Sequence, residues 1–222
     1  MTETSRKSAG RAATERVQRP GRRAEYAEAT RLAIVRAARD LFTSQGYFAT
    51  KVDQIAAEAR VAPATVYAVA GGKQGLLRTL IDDWTLAPEV AVAAEQLEQC
   101  VDPNQMLDVV ANLVVDMRRD WGDIMRMVLA TAPHDPAAAE SLALATKRYR
   151  DGYVLAARRL DDVGALKPGV SRRDAVDLLW FYFGYSSLFT LVDDNGWSMT
   201  KARNWLVDAA RTDVLADAFQ KP

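Results

Sequence analysis

Within residues 50–73 the chain gathers groups that hold a phosphodiester: the hydroxyl of Thr50, the ammonium groups of Lys51 and Lys73, the guanidinium of Arg60 and the phenol of Tyr67. Each can donate to a phosphate oxygen, and the free amides at a helix N-terminus add to the same attraction. Tyr67 also suits plain packing. Between them Pro63, Ala64, Thr65 and Ala68 present, apart from the Thr65 hydroxyl, only methyl and methylene surface. Such surface matches thymine methyls in a major groove and is poor at bidentate reading of guanine. Double-stranded DNA is the partner these residue types fit. Thymine contacts and DNA shape would do much of the reading, with hydrogen bonds added by Lys51, Arg60 or an N-terminal arm.

Catalytic chemistry has no comparable support. The single His134 lies between Pro133 and Asp135-Pro136, no second histidine completes a metal pair, and there is no nucleophile elbow, P-loop or G-x-G-x-x-G run. No enzyme, cofactor or metal site is expected. Cys100 is alone, so neither a disulfide framework nor a cysteine zinc site arises. It reads as a bystander, with redox sensing the less favoured role.

Two short helices must position the phosphate-binding groups. Thr50 suits an N-cap and Asp53 the third helical position; Val52, Ile55, Ala56 and Ala59 then share one apolar face. The chain turns at Arg60-Val61-Ala62, and Pro63 suits the first position of a second helix, where its missing N–H costs nothing. In DNA-binding proteins of this geometry the second helix enters the major groove and the first braces it across the backbone.

The run from Ala29 to Leu77 resembles the N-terminal domain of the tetracycline-repressor (TetR) family of bacterial transcription regulators. The matching positions are Ala37-Ala38, Leu41-Phe42, Gly46-Tyr47, Thr50, Val52, Ile55-Ala56, Val61, Thr65, Tyr67, Lys73 and Leu76-Leu77. Thr50, Tyr67 and Lys73 match family positions that touch phosphate. Three features depart from the family pattern. Arg60 stands where a turn glycine is usual, and so faces a left-handed conformation that a β-carbon disfavours. Ala62 replaces the common serine N-cap, and Ala68, Val69 and Ala70 occupy places where aromatics or histidines are usual.

The resemblance implies a homodimeric, ligand-responsive regulator of transcription, a repressor, whose two headpieces bind a palindromic operator and are released by a small effector. The fold it implies is all-α: a three-helix helix-turn-helix headpiece on a larger helical bundle, about nine helices in all. A helical protein-interaction module whose headpiece no longer reads DNA is the second reading, kept open by the apolar 62–70 stretch.

Composition agrees with that division. The chain of 222 residues is 49% hydrophobic with 12 glycines, as a mostly helical globule requires. Residues 1–80 hold 14 Lys/Arg against 7 Asp/Glu, whereas the remainder holds 15 against 22. A basic first third and an acidic remainder let one end meet a polyanion while the other is repelled by it. Residues 1–24 read as a flexible basic arm, with Arg16, Arg19, Arg22 and Arg23 able to reach a minor groove or to remain a solvated tail. Residues 25–72 read as the DNA-binding domain and 73–222 as the ligand-binding and dimerisation domain. The longest nearly uncharged apolar run, Leu178 to Val192, falls short of the ~18 residues a membrane span needs, and a cytoplasmic protein is expected.

In the second domain, helices are expected from Lys73 to near Pro88, Asp102 to Met117, Trp121 to Ala130, Asp135 to Leu160, Ser171 to Asp194 and Met199 to Phe219. The segment from Ser171 is apolar nearly all round and should be covered on two sides, by its own bundle and by a second subunit. The resemblance likewise implies pairing of the last two long helices across a dimer axis. A ligand pocket is expected between the helices starting at Asp102, Asp135 and Ser171. Its candidate wall residues are Trp121, Met125, Tyr149, Tyr153, Phe181 and Tyr185, which favour a hydrophobic or flat aromatic effector.

Overall fold

The computed structural model describes residues 21–220, which form helices joined by short turns; the described residues contain no strand, only an isolated bridge between Leu166 and Leu215. The fold is all-α, with a helix number close to the nine expected. Helix α1 (Arg22–Gln45) turns Ile34, Ala38 and Phe42 into the core and ends at Gly46, which takes φ 90°. It begins at Arg22 rather than Glu25, because Arg22-Arg23-Ala24 contains nothing that resists a helix. Arg22 and Arg23, assigned to the arm, are exposed residues of its first turn, while Arg16 and Arg19 lie outside the described residues.

Helices α2 (Val52–Glu58), α3 (Pro63–Ala70) and α4 (Lys73–Thr85) close a small core over α1, with Ile55, Ala56, Val66, Leu76 and Leu77 buried against Phe42 and Tyr47. The Phe42 and Tyr47 rings stand 5.2 Å apart. Thr50 is not the N-cap of α2. Its hydroxyl donates to the Gly46 carbonyl at 2.9 Å, so Lys51 takes the cap position and its N–H donates to Gln54 Oε1 at 2.8 Å.

Helix α5 (Pro88–Gln99) was not expected. Pro88 at its first position and Glu89 in its first turn are sound start signals, but its apolar face is built largely from alanine and valine and reads weakly in sequence. Arg159 closes the far end, donating to the carbonyls of Leu97 at 3.2 Å and Cys100 at 3.0 Å; Cys100 is buried beside this cap. Helix α6 (Pro103–Thr131) is one helix where two were expected. The charged triplet Arg118-Arg119-Asp120 does not break it, since Arg119 pairs with Asp116 at 2.8 Å and Asp120 at 2.9 Å along the helix surface.

Helix α7 (Pro136–Asp162) is capped by Asp135, which accepts from the Ala138 N–H at 2.8 Å. The segment expected as one helix to Asp194 is instead α8 (Arg172–Phe183), a break at Gly184, the short α9 (Tyr185–Leu188) and a π-helical turn (Phe189–Asp194). Gly184 is extended at ψ 179°, and a β-carbon there would stand 2.4 Å from the Trp180 carbonyl oxygen. The Ser187 hydroxyl compensates, donating to the Phe181 carbonyl at 2.6 Å. Helix α10 (Met199–Val214) stops short of Phe219, which belongs to a separate 3-10 turn (Asp217–Phe219). Residues 172–194 are apolar and long enough by composition to span a membrane, yet half of that window is buried inside the bundle and the helix is interrupted.

Buried side chains form two clusters. One joins the headpiece to α4, the second half of α6 and Tyr185; the other joins the first half of α6 to α7, α8 and α10.

Candidate functional site

At the corner between α2 and α3, Arg60 adopts φ 57°, and among the described residues no other non-glycine residue has positive φ. Its N–H donates to the Ala57 carbonyl at 3.1 Å, and that of Val61 to Ala56 at 2.9 Å. The turn holds its left-handed residue by these bonds, and the Arg60 side chain stays exposed. Ala62 sits at the α3 N-cap with no side-chain bond to the helix amides. Ala62→Ser should supply that bond and stabilise the chain by about 1 kcal/mol, a rise in Tm of roughly 2–4 °C in a thermal melt. An unchanged melt would mean that the open amides are already satisfied by solvent.

The outward side of α3 is nearly hydrocarbon. Pro63, Ala64 and Ala68 are exposed, Thr65 is half-buried, and Tyr67 is 58% exposed. The Tyr67 ring lies over Gly72, where a β-carbon would come within 3.0 Å of it. Lys73, the first residue of α4, places its ammonium 4.4 Å from the Tyr47 ring centroid. Desolvation lowers the pKa of Lys73, opposed by the charge of Asp135. Lys51 is exposed, whereas Thr50 is buried with its hydroxyl engaged inside the headpiece. Of the nine residues expected at a DNA surface, eight are accessible and Thr50 is not.

A second feature lies in the body. A cavity of about 80 Å³ is walled by Val90, Ala93 and Leu97 of α5, Val110, Leu113 and Met117 of α6 and Tyr149, Tyr153 and Leu155 of α7. Thr85 and Arg148 line it at the α4 end. Arg148 Nη1 donates to Asp82 at 2.7 Å and to the Thr85 hydroxyl at 2.6 Å, and Trp84 Nε1 donates to the Tyr149 hydroxyl at 3.1 Å. Two adjacent residues of α7 thus tie it to α4. Burial raises the pKa of the Tyr149 and Tyr153 phenols, and Tyr153 donates to the Phe183 carbonyl at 2.7 Å.

This cavity is displaced from the expected pocket. Only Tyr149 and Tyr153 of the six candidates line it. Met125 and Tyr185 meet Tyr149 at a crevice of about 10 Å³ and are core residues; burial pushes the Tyr185 phenol up to about 12. Trp121 lies beneath the Arg39 guanidinium, 4.8 Å from its centroid, where Arg39 bridges α1 to Asp123 of α6 at 2.8 Å. Phe181 is 71% exposed, because it falls on the side of α8 turned away from α6 and α7. The wall comes from α5 instead, the helix that sequence patterning did not reveal.

Residues 34–80 match the family model described as bacterial regulatory proteins, tetR family. The headpiece therefore matches the tetR family. Comparison with curated proteins gives no match. Among solved structures the chain is similar to SmeT, the repressor of the Stenotrophomonas maltophilia multidrug efflux pump SmeDEF, in its triclosan complex: TM-score 0.71 and 19% identity over 87% of this chain and 95% of that one. It is similar to NalD, the secondary repressor of the MexAB-OprM multidrug efflux pump in Pseudomonas aeruginosa: TM-score 0.66 and 20% identity over 87% of this chain and 99% of that one. FadR from Bacillus subtilis, solved with stearoyl-CoA, gives TM-score 0.67 and 16% identity over 81% and 96% of the two chains. These similarities carry the tetR-type fold through the body as well as the headpiece.

Sequence reasoning missed Thr85 and Arg148 at the cavity, and Asp82, which pairs with Arg148. The one signal available was an arginine on the same helix as the aromatic residues Tyr149 and Tyr153.

Proposed function

We propose that the chain is a bacterial transcriptional repressor that binds an inverted-repeat operator as a homodimer and is released by a small hydrophobic effector. Residues 25–72 read DNA and residues 73–222 dimerise and hold the effector, inside the cell where the DNA is. The observation that carries this reading is the exposed, nearly hydrocarbon face of α3, with accessible Lys51 and Arg60 just before it in the chain and Lys73 just after. Phosphate contacts would come from Lys51, Arg60, Tyr67 and Lys73; Thr50 would contribute through the rigidity it gives the start of α2. Pro63, Ala64, Thr65 and Ala68 would face base edges. The dimer would use α8 to α10, where Phe181 and Trp205, 71% and 49% exposed, border a groove that also contains Gly184, Ser186 and Ser187.

Selection of bound fragments from a random duplex pool tests the reading, followed by titration of the selected site against salt. Expected is an inverted repeat with half-sites about one helical turn apart, its affinity falling steeply with salt. Exchanging the thymines of a half-site for uracil should weaken binding several-fold; equal affinity would remove the methyl-reading role of α3. The apolar α3 face also fits a protein-interaction module, and the absence of any DNA shift at low salt would favour that reading instead.

A further inference from the structure

The cavity between α5, α6 and α7 has one charged lining group, Arg148, and no carboxylate in its wall. Arg148 is three-quarters buried and spends only Nη1 on Asp82 and Thr85; among the described residues its Nε and Nη2 make no hydrogen bond. A guanidinium offers five donors in a fixed fork, and a carboxylate meeting two of them in parallel outcompetes a carboxylate meeting one. Asp82 is a weak incumbent: it is more than a third exposed and contacts Arg148 through a single nitrogen. The rest of the wall is aliphatic carbon, with tyrosines whose hydroxyls already pair with Trp84 and with the Phe183 carbonyl.

We propose that the occupant is a small amphiphile with an aliphatic body and a single anionic head, and that the head takes Arg148 from Asp82. This assignment rests on the reading of the chain as ligand-responsive and names the class of ligand. The cavity volume of about 80 Å³ is far below the few hundred Å³ of a typical ligand site, so such a molecule must move a wall. Losing the Arg148–Asp82 pair weakens one of the two ties between α7 and α4, the helix that begins at Lys73 beside the recognition helix. The ligand therefore favours the arrangement in which α4 and α7 are apart, and shifts the equilibrium by that difference in affinity.

Binding of octanoate and of octanamide to the full chain, followed by calorimetry, separates the head from the body. Octanoate should bind about tenfold or more tightly than octanamide. Arg148→Gln should erase that preference, and Asp82→Asn should tighten octanoate several-fold while leaving octanamide unchanged. The two variants have opposite expected signs, so a general loss of folding cannot produce the pattern. Equal binding of the two probes, binding of neither at millimolar concentration, a preference that survives Arg148→Gln, or an Asp82→Asn effect on both probes alike would each overturn the proposal. The titrations use protein without DNA. Failure to find an operator would therefore remove the repressor reading, while the difference between the two probes would still decide whether the cavity takes an anionic head.

Discussion

Gly75→Ala should collapse the geometry of the recognition helix, at a cost of about 3 kcal/mol or more of stability. Gly75 is the third residue of α4, and a β-carbon built on it would stand 1.5 Å from the carbonyl oxygen of Ala70 and 2.7 Å from its carbonyl carbon. Those atoms are backbone at the C-terminal end of α3, so no side-chain rotation relieves the overlap. The helices must separate, and with them the exposed face of α3 and Lys73. Operator affinity should fall by about a hundredfold, which corresponds to only ~2.7 kcal/mol of lost contact. Urea unfolding with a parallel DNA titration measures both. Gly152→Ala is the companion: Gly152 lies in α7 with nothing within 4 Å of an added β-carbon, and alanine there should stabilise by about 1 kcal/mol through helix propensity alone. A Gly75→Ala chain as stable as its parent would show that α3 and α4 do not meet as described.

Trp84→Ala should be the most damaging truncation at the junction of headpiece and body. Trp84 is fully buried, its ring centroid 5.6 Å from those of Tyr149 and Tyr185, and its indole N–H satisfies the Tyr149 hydroxyl at 3.1 Å. Truncation opens a large void and leaves the part-buried Tyr149 phenol without its donor. The expected loss is about 3–5 kcal/mol, or roughly 10 °C in Tm. Trp84→Phe keeps most of the volume and loses the donor, so it should fall between the two. A loss below about 1 kcal/mol for the alanine variant would mean that the aromatic cluster repacks and does not brace α4 against α7.

The headpiece was legible because its signals are local and mutually consistent. Proline at the start of α3, glycine at the end of α1 and an apolar repeat along α2 each point to the same helix boundaries, and the left-handed Arg60 follows from where the turn must fall. Thr50 was misread because its hydroxyl had two possible partners; the C-terminal carbonyls of α1, brought close by the fold, win over the amides of α2. In the body the failures share a cause. Helix α5 is alanine-rich and weakly patterned, and its role as a cavity wall appears only once α6 and α7 lie against it. Gly184 breaks α8 although a lone glycine inside a helical pattern is ordinarily tolerated; in its extended conformation a β-carbon would stand 2.4 Å from the Trp180 carbonyl oxygen, so the break is one that glycine suits. The cavity lies beside the expected pocket because Met125 and Tyr185 are core once the helices close on one another, while Phe181 faces outward.

The unbroken course of α6 has a mechanical consequence. Its 29 residues run about 43 Å, clasped near one end by Arg203 and Arg211 of α10 and near the other by Arg39 of α1, with the cavity wall along its first half. A rod of that length has no loop in which to absorb a tilt. Pivoting by about 5° at the α10 end carries the α1 end through roughly 4 Å, about the axial spacing of one base pair along a duplex.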